Sequence, residues 1–443
     1  MPPSDAEPRV LLDLYSAATA AVAPGPALEN RLRVARSSKP WIIALGKAAV
    51  PMADTAVRLL HQGGSRPAGG IVIGPTASGS DGSPLPYHPG DHPEPGVASF
   101  AAAEELARTV ARIPADAEVW VLLSGGTSSL IAAPEAGLSA DELSSIYSLL
   151  LGSGLDIAAM NRIRKRFSRW GGGRLARALA PAAVRVYIVS DVIGDDLASI
   201  GSGPCVPDTT VAAEVRRLLE GSNLWSRLPG SARELVLSTE DGLSPETPKP
   251  GDPAFARVSS EIIASNRLAL EAAARRAREL GLRVTVTDAP ISGEAMSTGA
   301  SLARQLLSAC QTAVNARAVA QCLIWGGETT VTFGNQTPGL GGRCQELALA
   351  AAEVLQQAHT RAELLAAGTD GRDGPTDAAG AIVNQDTWAA VQRAGRDPAQ
   401  DLARHNSYQS LDAAGVLLRP GLTGTNVMDV VIGVCLGGTA SRQ

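Results

Sequence analysis

Strand-like and helix-like stretches alternate through the first half of the chain. The strand-like runs are 41–45, 70–74, 118–124 and 184–190, and helical spacing of apolar residues covers 48–60 and 97–113. Strands separated by helices predict β-α-β units and a mostly parallel sheet. Because ligands of such sheets bind outside the carboxyl ends of the strands, we expect functional residues in the loops that directly follow these runs.

A proline-rich segment, 241–253, interrupts this alternation and indicates a linker or surface loop near a domain boundary. The pattern then resumes. Helical spacing covers 266–280, 295–314 and about 343–357, and strand-like runs cover 283–287, 321–325, the surroundings of Leu364, and 429–435. We therefore predict two α/β three-layer domains, 1–240 and 255–443, with a cleft between them.

Charge and composition exclude several classes of partner. The chain has 443 residues and a net charge of −5, so no broad basic surface predicts binding to nucleic acid or to an anionic membrane. No apolar run in the sequence reaches the length needed to span a bilayer. Five dispersed cysteines without a CxxC pair, together with a polar N-terminal segment, 1–9, predict a cytoplasmic protein without a disulfide framework.

Carboxylates cluster in the glycine-rich segment 368–380, which directly follows a short apolar run. Asp370, Asp373 and Asp377 would repel one another unless backbone N–H groups, solvent or a cation compensated their charge. The segment is therefore either a turn-rich connection with helix-capping aspartates or part of a ligand-binding loop in which a cation offsets the carboxylates.

Two loops of the first half also have the composition of ligand-binding loops. Residues 124–126 end a strand and open a helix, so their backbone N–H groups predict an anion cradle, with a structural turn as the alternative. Asp191, Asp195 and Asp196 follow the next strand and suit a general base or Mg²⁺ ligands, with helix capping as the alternative. No GxGxxG pattern follows a strand, which argues against a nicotinamide cofactor.

Basic residues concentrate in two places. The run 161–166 contains Lys165 and is either a clamp for phosphate or carboxylate or a solvated helix face. Arg343 stands at a predicted helix start, where its guanidinium fork would suit phosphate oxygens. Cations together with carboxylates in strand-to-helix loops are the combination that phosphoryl transfer requires.

Ten segments, in order along the chain, carry a family resemblance. They are 44–49, 123–130, 164–168, 172–176, 190–196, 201–204, 326–332, 341–349, 368–381 and 423–429. His92-Pro-Glu-Pro95 adds a less specific match. On these segments the chain resembles the glycerate 2-kinase family, whose C-terminal portion is called the MOFRL domain.

The resemblance implies an ATP- and Mg²⁺-dependent kinase that phosphorylates the 2-hydroxyl of D-glycerate, a small hydroxy acid, to give 2-phosphoglycerate. It implies a Rossmann-like first domain, with the active site in the cleft beside a second α/β domain, and leaves a homodimer as an alternative to a monomer. It implies catalytic roles for Lys47, Asp191 and Arg343, phosphate or nucleotide contacts for Ser124, Gly125, Gly126, Asp370, Asp373 and Asp377, substrate contacts for Lys165 and Glu328, and metal ligation by Asp195 and Asp196.

Several positions depart from the family pattern. The family usually has His, Pro and Asn where this chain has Arg166, Ile193 and Cys344, and often Asn where it has Met428. A kinase acting on a different hydroxy or sugar acid is therefore an open alternative. Two further alternatives are a reductase of hydroxypyruvate or tartronate semialdehyde and a catalytically impaired binding protein.

Overall fold

The computed structural model describes residues 7–35, 38–75, 84–315, 320–333, 339–357 and 361–435, so residues 1–6 of the polar N-terminal segment lie outside it. The chain divides into two compact units. The inserted unit is Pro24–Ile263, and the split unit joins Met1–Ala23 to Ala264–Gln443. The first helix, α1 (Glu7–Ala21), therefore belongs to the split unit.

The inserted unit contains a six-stranded sheet among the described residues. Its strands are β1 (Trp41–Leu45), β2 (Gly69–Pro75), β3 (Tyr87–Gly90), β4 (Glu118–Leu123), β5 (Ala183–Val189) and β6 (Val258–Ala264). Its helices are α2 (Pro24–Arg31), α3 (Ala49–Gln62), α4 (Val97–Val110), α5 (Thr127–Leu130), α6 (Ala140–Leu151), α7 (Ile157–Phe167), α8 (Arg174–Leu179), α9 (Ala212–Gly221) and α10 (Gly230–Glu240).

Parallel pairing organises the sheet of the inserted unit. The strand order is β3-β2-β1-β4-β5-β6, and β1 to β5 pair in parallel. From β1 the chain builds outward through β2 and β3, and then continues on the other side of β1 with β4 and β5. Residues 42–45 of β1 are all fully buried, as expected of a central parallel strand covered on both faces. The Rossmann-like pattern predicted for this part of the chain is confirmed.

The split unit contains a mixed sheet. Its strands are β7 (Arg283–Val286), β8 (Gln321–Gly327), β9 (Ala362–Gly368), β10 (Gly380–Asn384), β11 (Leu417–Leu418) and β12 (Asp429–Cys435). Its further helices are α11 (Asn266–Glu279), α12 (Ala295–Asn315), α13 (Arg343–Leu355), α14 (Thr387–Arg393), α15 (Pro398–Ala403) and α16 (Ser407–Ala413).

The predicted mostly parallel arrangement is wrong for this second sheet. Its order is β11-β10-β9-β12-β8-β7, and β12 pairs antiparallel with both β8 and β9. β10 is also antiparallel to β9, because the segment between them is a loop rather than a crossover helix. The carboxyl ends of β8 and β9 and the start of β12 therefore meet at one edge, where Asp429 is paired with Gly327 and Gly368.

The compact units differ from the predicted domain ranges 1–240 and 255–443. At the N-terminus, α1 packs against α11 and β12, and Asp13 forms an ion pair with Arg276 at 2.8 Å. Near the middle of the chain, β6 joins the sheet beside β5 and extends the inserted unit past the proline-rich segment to Ile263. No helix in the described ranges is both long enough and apolar enough to cross a membrane.

One disulfide corrects an expectation from the cysteine pattern. Cys310 of α12 and Cys435 of β12 are bonded, with their Cα atoms 5.3 Å apart, because α12 packs directly on β12 in the core of the split unit. The two cysteines are 125 residues apart in the sequence, so no local motif indicates that they pair. The absence of CxxC therefore gives no support to a reducing compartment.

A substitution of Tyr15 tests whether its side chain helps to attach α1 to the rest of the split unit. Its hydroxyl donates a hydrogen bond of 2.7 Å to the carbonyl oxygen of Gly368 at the end of β9. Tyr15→Phe leaves that buried carbonyl without this partner, so we expect a loss of about 1–2 kcal/mol in unfolding free energy, measured by urea denaturation. The exposed neighbour variant Ser16→Ala should leave the midpoint unchanged, and equal midpoints for all three proteins would contradict the assignment.

Candidate functional site

Four loops of the inserted unit meet at the carboxyl edge of its parallel sheet. They follow β1, β3, β4 and β5 and carry Lys47, His92, the pair Gly125–Gly126, and Asp191. The point where the strand order reverses lies between β1 and β4, the usual position of a ligand crevice in open α/β sheets. The structure thus brings together three groups of residues that the sequence predicted separately.

Ser124 ties the first two of these loops to each other. Its side-chain oxygen accepts a hydrogen bond of 2.9 Å from the backbone N–H of Ala48 and donates one of 3.3 Å to the carbonyl of Leu45. The backbone N–H of Lys47 donates to the carbonyl of Gly125 at 3.0 Å. Ser124 is buried, so its hydroxyl holds the loops in place, and the predicted anion contacts would fall to the neighbouring glycines.

The glycines allow the loops to approach closely. A Cβ atom at Gly125 would lie 1.7 Å from an Oδ of Asp191. Gly126 has φ of +83°, and a Cβ there would lie 3.0 Å from the His92 ring and 3.3 Å from Cγ of Lys47. Side chains at these positions would therefore displace Asp191 and His92 and fill the space beside Lys47.

Burial and charge set the protonation of the site. Desolvation raises the pKa of Asp191, and the nearby Lys47 ammonium opposes that shift in part. Desolvation, reinforced by the same ammonium, lowers the pKa of His92 to about 4, so its ring is neutral near pH 7. The edge therefore presents a cationic Lys47, a neutral imidazole and a carboxylate that binds protons more readily than an ordinary aspartate.

Asp195 and Asp196, the predicted metal ligands, lie in the turn after β5. Asp196 accepts hydrogen bonds from the N–H of Ala198 at 3.1 Å and from the hydroxyl of Ser199 at 2.6 Å, which is the capping arrangement foreseen as the alternative. Asp195 has a left-handed backbone, with φ of 56°. Within the described residues, no three His, Cys, Asp or Glu side chains gather into a metal cluster.

Arg343 lies at the corresponding edge of the split unit. As the first residue of α13, it donates from Nε and NH2 to the two carboxylate oxygens of Asp429, at 2.6 and 2.9 Å. Its third nitrogen lies 2.6 Å from the carboxylate of Glu328, which follows β8. Asp429 is buried, whereas the side chain of Glu328 is 40% exposed, so Glu328 is the partner of Arg343 that faces solvent.

Asp373 caps α13 from a different loop. The cap position of this helix is Gly342, which has no side chain, and a Cβ there would lie 2.3 Å from Oδ1 of Asp373. The carboxylate of Asp373 instead accepts hydrogen bonds from the N–H groups of Cys344 and Gln345, at 3.1 and 2.8 Å. Burial raises the pKa of Asp373 to about 7, although these two N–H groups favour the charged form.

The other two predicted aspartates of this loop differ from Asp373 and from each other. Asp370 is partly buried, accepts a hydrogen bond from the N–H of Arg372, and lies where its charge raises the pKa of Tyr15. Asp377 is exposed and binds the hydroxyl of Tyr408 and the guanidinium of Arg419. The structure thus gives one of the three a capping role and one a surface ion pair.

The basic run on α7 is neither an open clamp nor a solvated face. Lys165 is 5% exposed, and its Nζ lies 3.6 Å from the buried carboxylate of Asp208. Arg166 is also buried and bonds to Glu246 at 2.5 Å. The sequence pattern placed these residues on a helix correctly but gave no sign of partners 43 and 80 residues later.

The positions that depart from the family pattern have different environments. Cys344 is buried beside Asp429, and Ile193 is 42% exposed. Met428 is buried with φ of 69°, a left-handed conformation that asparagine tolerates better than methionine.

Sequence reasoning passed over two residues of these edges. In the sequence His92 belongs only to a less specific motif match, although it lies two residues after the short strand β3. Asp429 was assigned to a strand, and its role is apparent only because antiparallel pairing brings it to Arg343, 86 residues earlier. A polar residue at the first position of an otherwise apolar strand was the available signal.

Comparisons with known proteins find matches over nearly the whole chain. Residues 10–237 match the family described as "Domain of unknown function (DUF4147)", and residues 321–429 match the "MOFRL family". A glycerate 2-kinase of Pyrococcus horikoshii is 35% identical over 89% of this chain and 87% of its own length. A putative hydroxypyruvate reductase of Agrobacterium vitis is 35% identical over 95% of this chain and 93% of its own length. The crystal structure of a glycerate kinase from Thermotoga maritima matches with a TM-score of 0.85 and 32% identity, covering 97% of this chain and 99% of that one.

Asp373 predicts a pH dependence of stability. Its folded-state pKa of about 7 exceeds the ordinary value of 3.8, so its ionisation opposes folding, increasingly from about pH 4 to pH 7. The unfolding free energy of the wild type minus that of Asp373→Asn should therefore fall between about pH 4.5 and about pH 7.5 in urea titrations. Asp377→Asn, in the same loop but exposed, should show no such fall, and a flat difference for Asp373→Asn would refute the prediction.

Proposed function

The chain belongs to the glycerate 2-kinase family of phosphotransferases that act on an alcohol, and we propose that it transfers the γ-phosphoryl group of ATP to the 2-hydroxyl of D-glycerate. The product would be 2-phosphoglycerate. The observation that carries the proposal is the meeting of Lys47, Gly125, Gly126 and Asp191 at the reversal point of a parallel sheet. A cation, an unobstructed backbone and a carboxylate are the groups that phosphoryl transfer uses.

These residues fit a phosphate group on geometric grounds. The backbone at Gly126 is partly exposed beside the exposed Lys47, where a Cβ would lie 3.3 Å from Cγ of Lys47, whereas a Cβ at Gly125 would collide with Asp191. Mg²⁺ in kinases is usually held by one or two carboxylates together with substrate phosphates, so Asp191 or Asp195 could serve without a protein-only metal cluster. Bound Mg-ATP supplies the phosphoryl group and offsets part of its negative charge.

Lys47 is proposed to hold phosphate oxygens. Its ammonium is a compact point charge on a loop fixed by backbone hydrogen bonds to the segment after β4. A charge fixed in advance stabilises the negative charge of the transition state without reorganisation of the loop.

Asp191 is proposed to take the proton of the attacking hydroxyl. Its raised pKa makes it a better proton acceptor than an ordinary aspartate, while the Lys47 ammonium opposes part of that rise. Its contact with Gly125 fixes the position of the carboxylate relative to the glycine loop.

Arg343 retains its proposed role as an anion contact, with one refinement. Its fork is occupied by the buried Asp429, so a ligand carboxylate or phosphate would have to replace the half-exposed Glu328. Glu328 would then act on substrate binding by competing for Arg343, rather than by touching the substrate.

A reductase acting on hydroxypyruvate is the second candidate, because the relative from Agrobacterium vitis bears that name. The loop after β1 contains a single glycine, Gly46, before Lys47 and lacks the GxGxxG pattern of dinucleotide-binding proteins. The net charge of −5 supports a cytoplasmic location no more than any other, but it favours small molecules over nucleic acid as the partners of the chain.

A coupled ADP-release assay with Mg-ATP and D-glycerate tests the proposal, with the product identified by phosphorus NMR. Formation of 2-phosphoglycerate supports it. Turnover of another hydroxy acid in place of glycerate would change the assigned acceptor and leave the reaction class unchanged. NADH oxidation with hydroxypyruvate, without ADP release from any hydroxy acid, would favour the reductase.

Lys47→Ala should lower kcat by about 10²–10³-fold, because it removes the positioned cation without touching the core. Circular dichroism and the thermal midpoint should match the wild type, since Lys47 is exposed. Lys39→Ala is the matched control, an exposed lysine that precedes β1 and therefore lies towards the opposite edge of the sheet. Equal losses in both variants would exclude a specific role for Lys47.

The raised pKa of Asp191 predicts how kcat/KM changes on the acidic side, or limb, of its pH profile. If it is the base, kcat/KM should fall as the pH drops through its pKa, at a pH above that expected for an ordinary aspartate. Asp191→Asn should lower kcat by about 10²–10⁴-fold and remove that limb from the residual activity. A variant that keeps the wild-type limb would show that another group titrates.

A further inference from the structure

We propose that the inserted unit carries a second binding site, for a small monoanionic organic acid, in a cavity whose lining includes the buried Arg166. The cavity has a volume of about 340 Å³ and includes residues of α7, α8 and α10 and of the segment 244–246. None of its lining residues belongs to the edge that carries Lys47, His92 and Asp191. The proposal therefore does not depend on the proposed kinase activity.

Arg166 is the observation that points to a ligand. The residue is 1% exposed, and one nitrogen of its guanidinium bonds to Glu246 at 2.5 Å. Nε and NH1 are buried and have no hydrogen-bond partner in the described part of the chain. Unpaired N–H groups on a buried cation are costly, so a ligand oxygen or ordered water is expected to satisfy them.

Glu246 alone does not compensate Arg166. Its other oxygen accepts a hydrogen bond from the N–H of Ala212 at 2.8 Å, and Nζ of Lys249 lies 3.3 Å from the oxygen that Arg166 also contacts. One carboxylate is therefore shared among a guanidinium, an ammonium and a backbone amide.

The charges around the cavity indicate a ligand with one negative charge. Arg166, Arg174 and Arg177 line it together with Glu135 and Glu246, which leaves one positive charge in excess. The next partners outward, Lys249 beside Glu246 and Asp252 beside Arg177, cancel each other. A single carboxylate would restore neutrality and matches the planar geometry of a guanidinium.

The rest of the lining indicates that the acid has an apolar body. Leu235, Pro245, Ala136 and Ala178 form part of the wall, and these side chains offer no hydrogen bonds. An inorganic anion would leave this part of the cavity to water, whereas a short aliphatic chain would cover it. Butyrate is therefore the probe, butanamide its neutral counterpart, and inorganic phosphate the polar anion for comparison.

The test is to titrate the full chain with each probe. Binding is measured by isothermal titration calorimetry and by the shift of the thermal unfolding midpoint. We expect butyrate to bind saturably with one site per chain and to raise the midpoint, and butanamide to do neither. Inorganic phosphate should bind at least about tenfold more weakly than butyrate. Butanamide binding as well as butyrate, or no saturable butyrate binding, would overturn the proposal.

Two variants locate the binding in this cavity. Arg166→Met should weaken butyrate binding at least about tenfold, whereas Arg217→Met, at an exposed arginine of α9, should not. Should Arg166→Met fail to fold, Ala178→Trp fills the cavity from an exposed position without altering its charges and should abolish binding. Unchanged affinity in a folded Arg166→Met or in Ala178→Trp would place the butyrate elsewhere and refute the site.

Discussion

Parallel pairing on both sides of β1 is the constraint from which the candidate site of this molecule follows. Because β1, β2, β3, β4 and β5 run in the same direction, every loop that leaves them emerges at one edge. The buried apolar strands fix that edge, and the glycines at 46, 125 and 126 let three loops approach within contact distance of one another. The position of Lys47 relative to Asp191 is thus a property of the sheet rather than of either loop.

The split unit places charges by a different means. Here two carboxylates are buried, and each meets a partner from a distant segment: Asp429 binds Arg343, and Asp373 binds the first turn of α13. Such pairs stabilise only as complete sets, since removal of one member leaves the other buried and unpaired. The reactive edge of the inserted unit is partly open, whereas this edge is largely neutralised.

The local sequence pattern was sufficient to predict strands that are apolar and flanked by turns. The predicted bounds 41–45 and 429–435 match β1 and β12. It failed for β3, which contains Pro89, and for β6, whose first half is exposed, because these strands exist through pairing rather than composition. The loop residues of the site were predicted, largely through family resemblance. The separate functions of Asp370, Asp373 and Asp377 were not, since each depends on partners that the sequence does not place nearby.

The course of the chain through its two units has a consequence for synthesis. Helix α1 is synthesised long before the surfaces it packs against, α11 and β12. The inserted unit is complete when Ile263 has emerged and can fold as a unit on the ribosome. Throughout that interval α1 is an amphipathic segment without its partner. The split unit can therefore close only after β12 has been synthesised, long after α1.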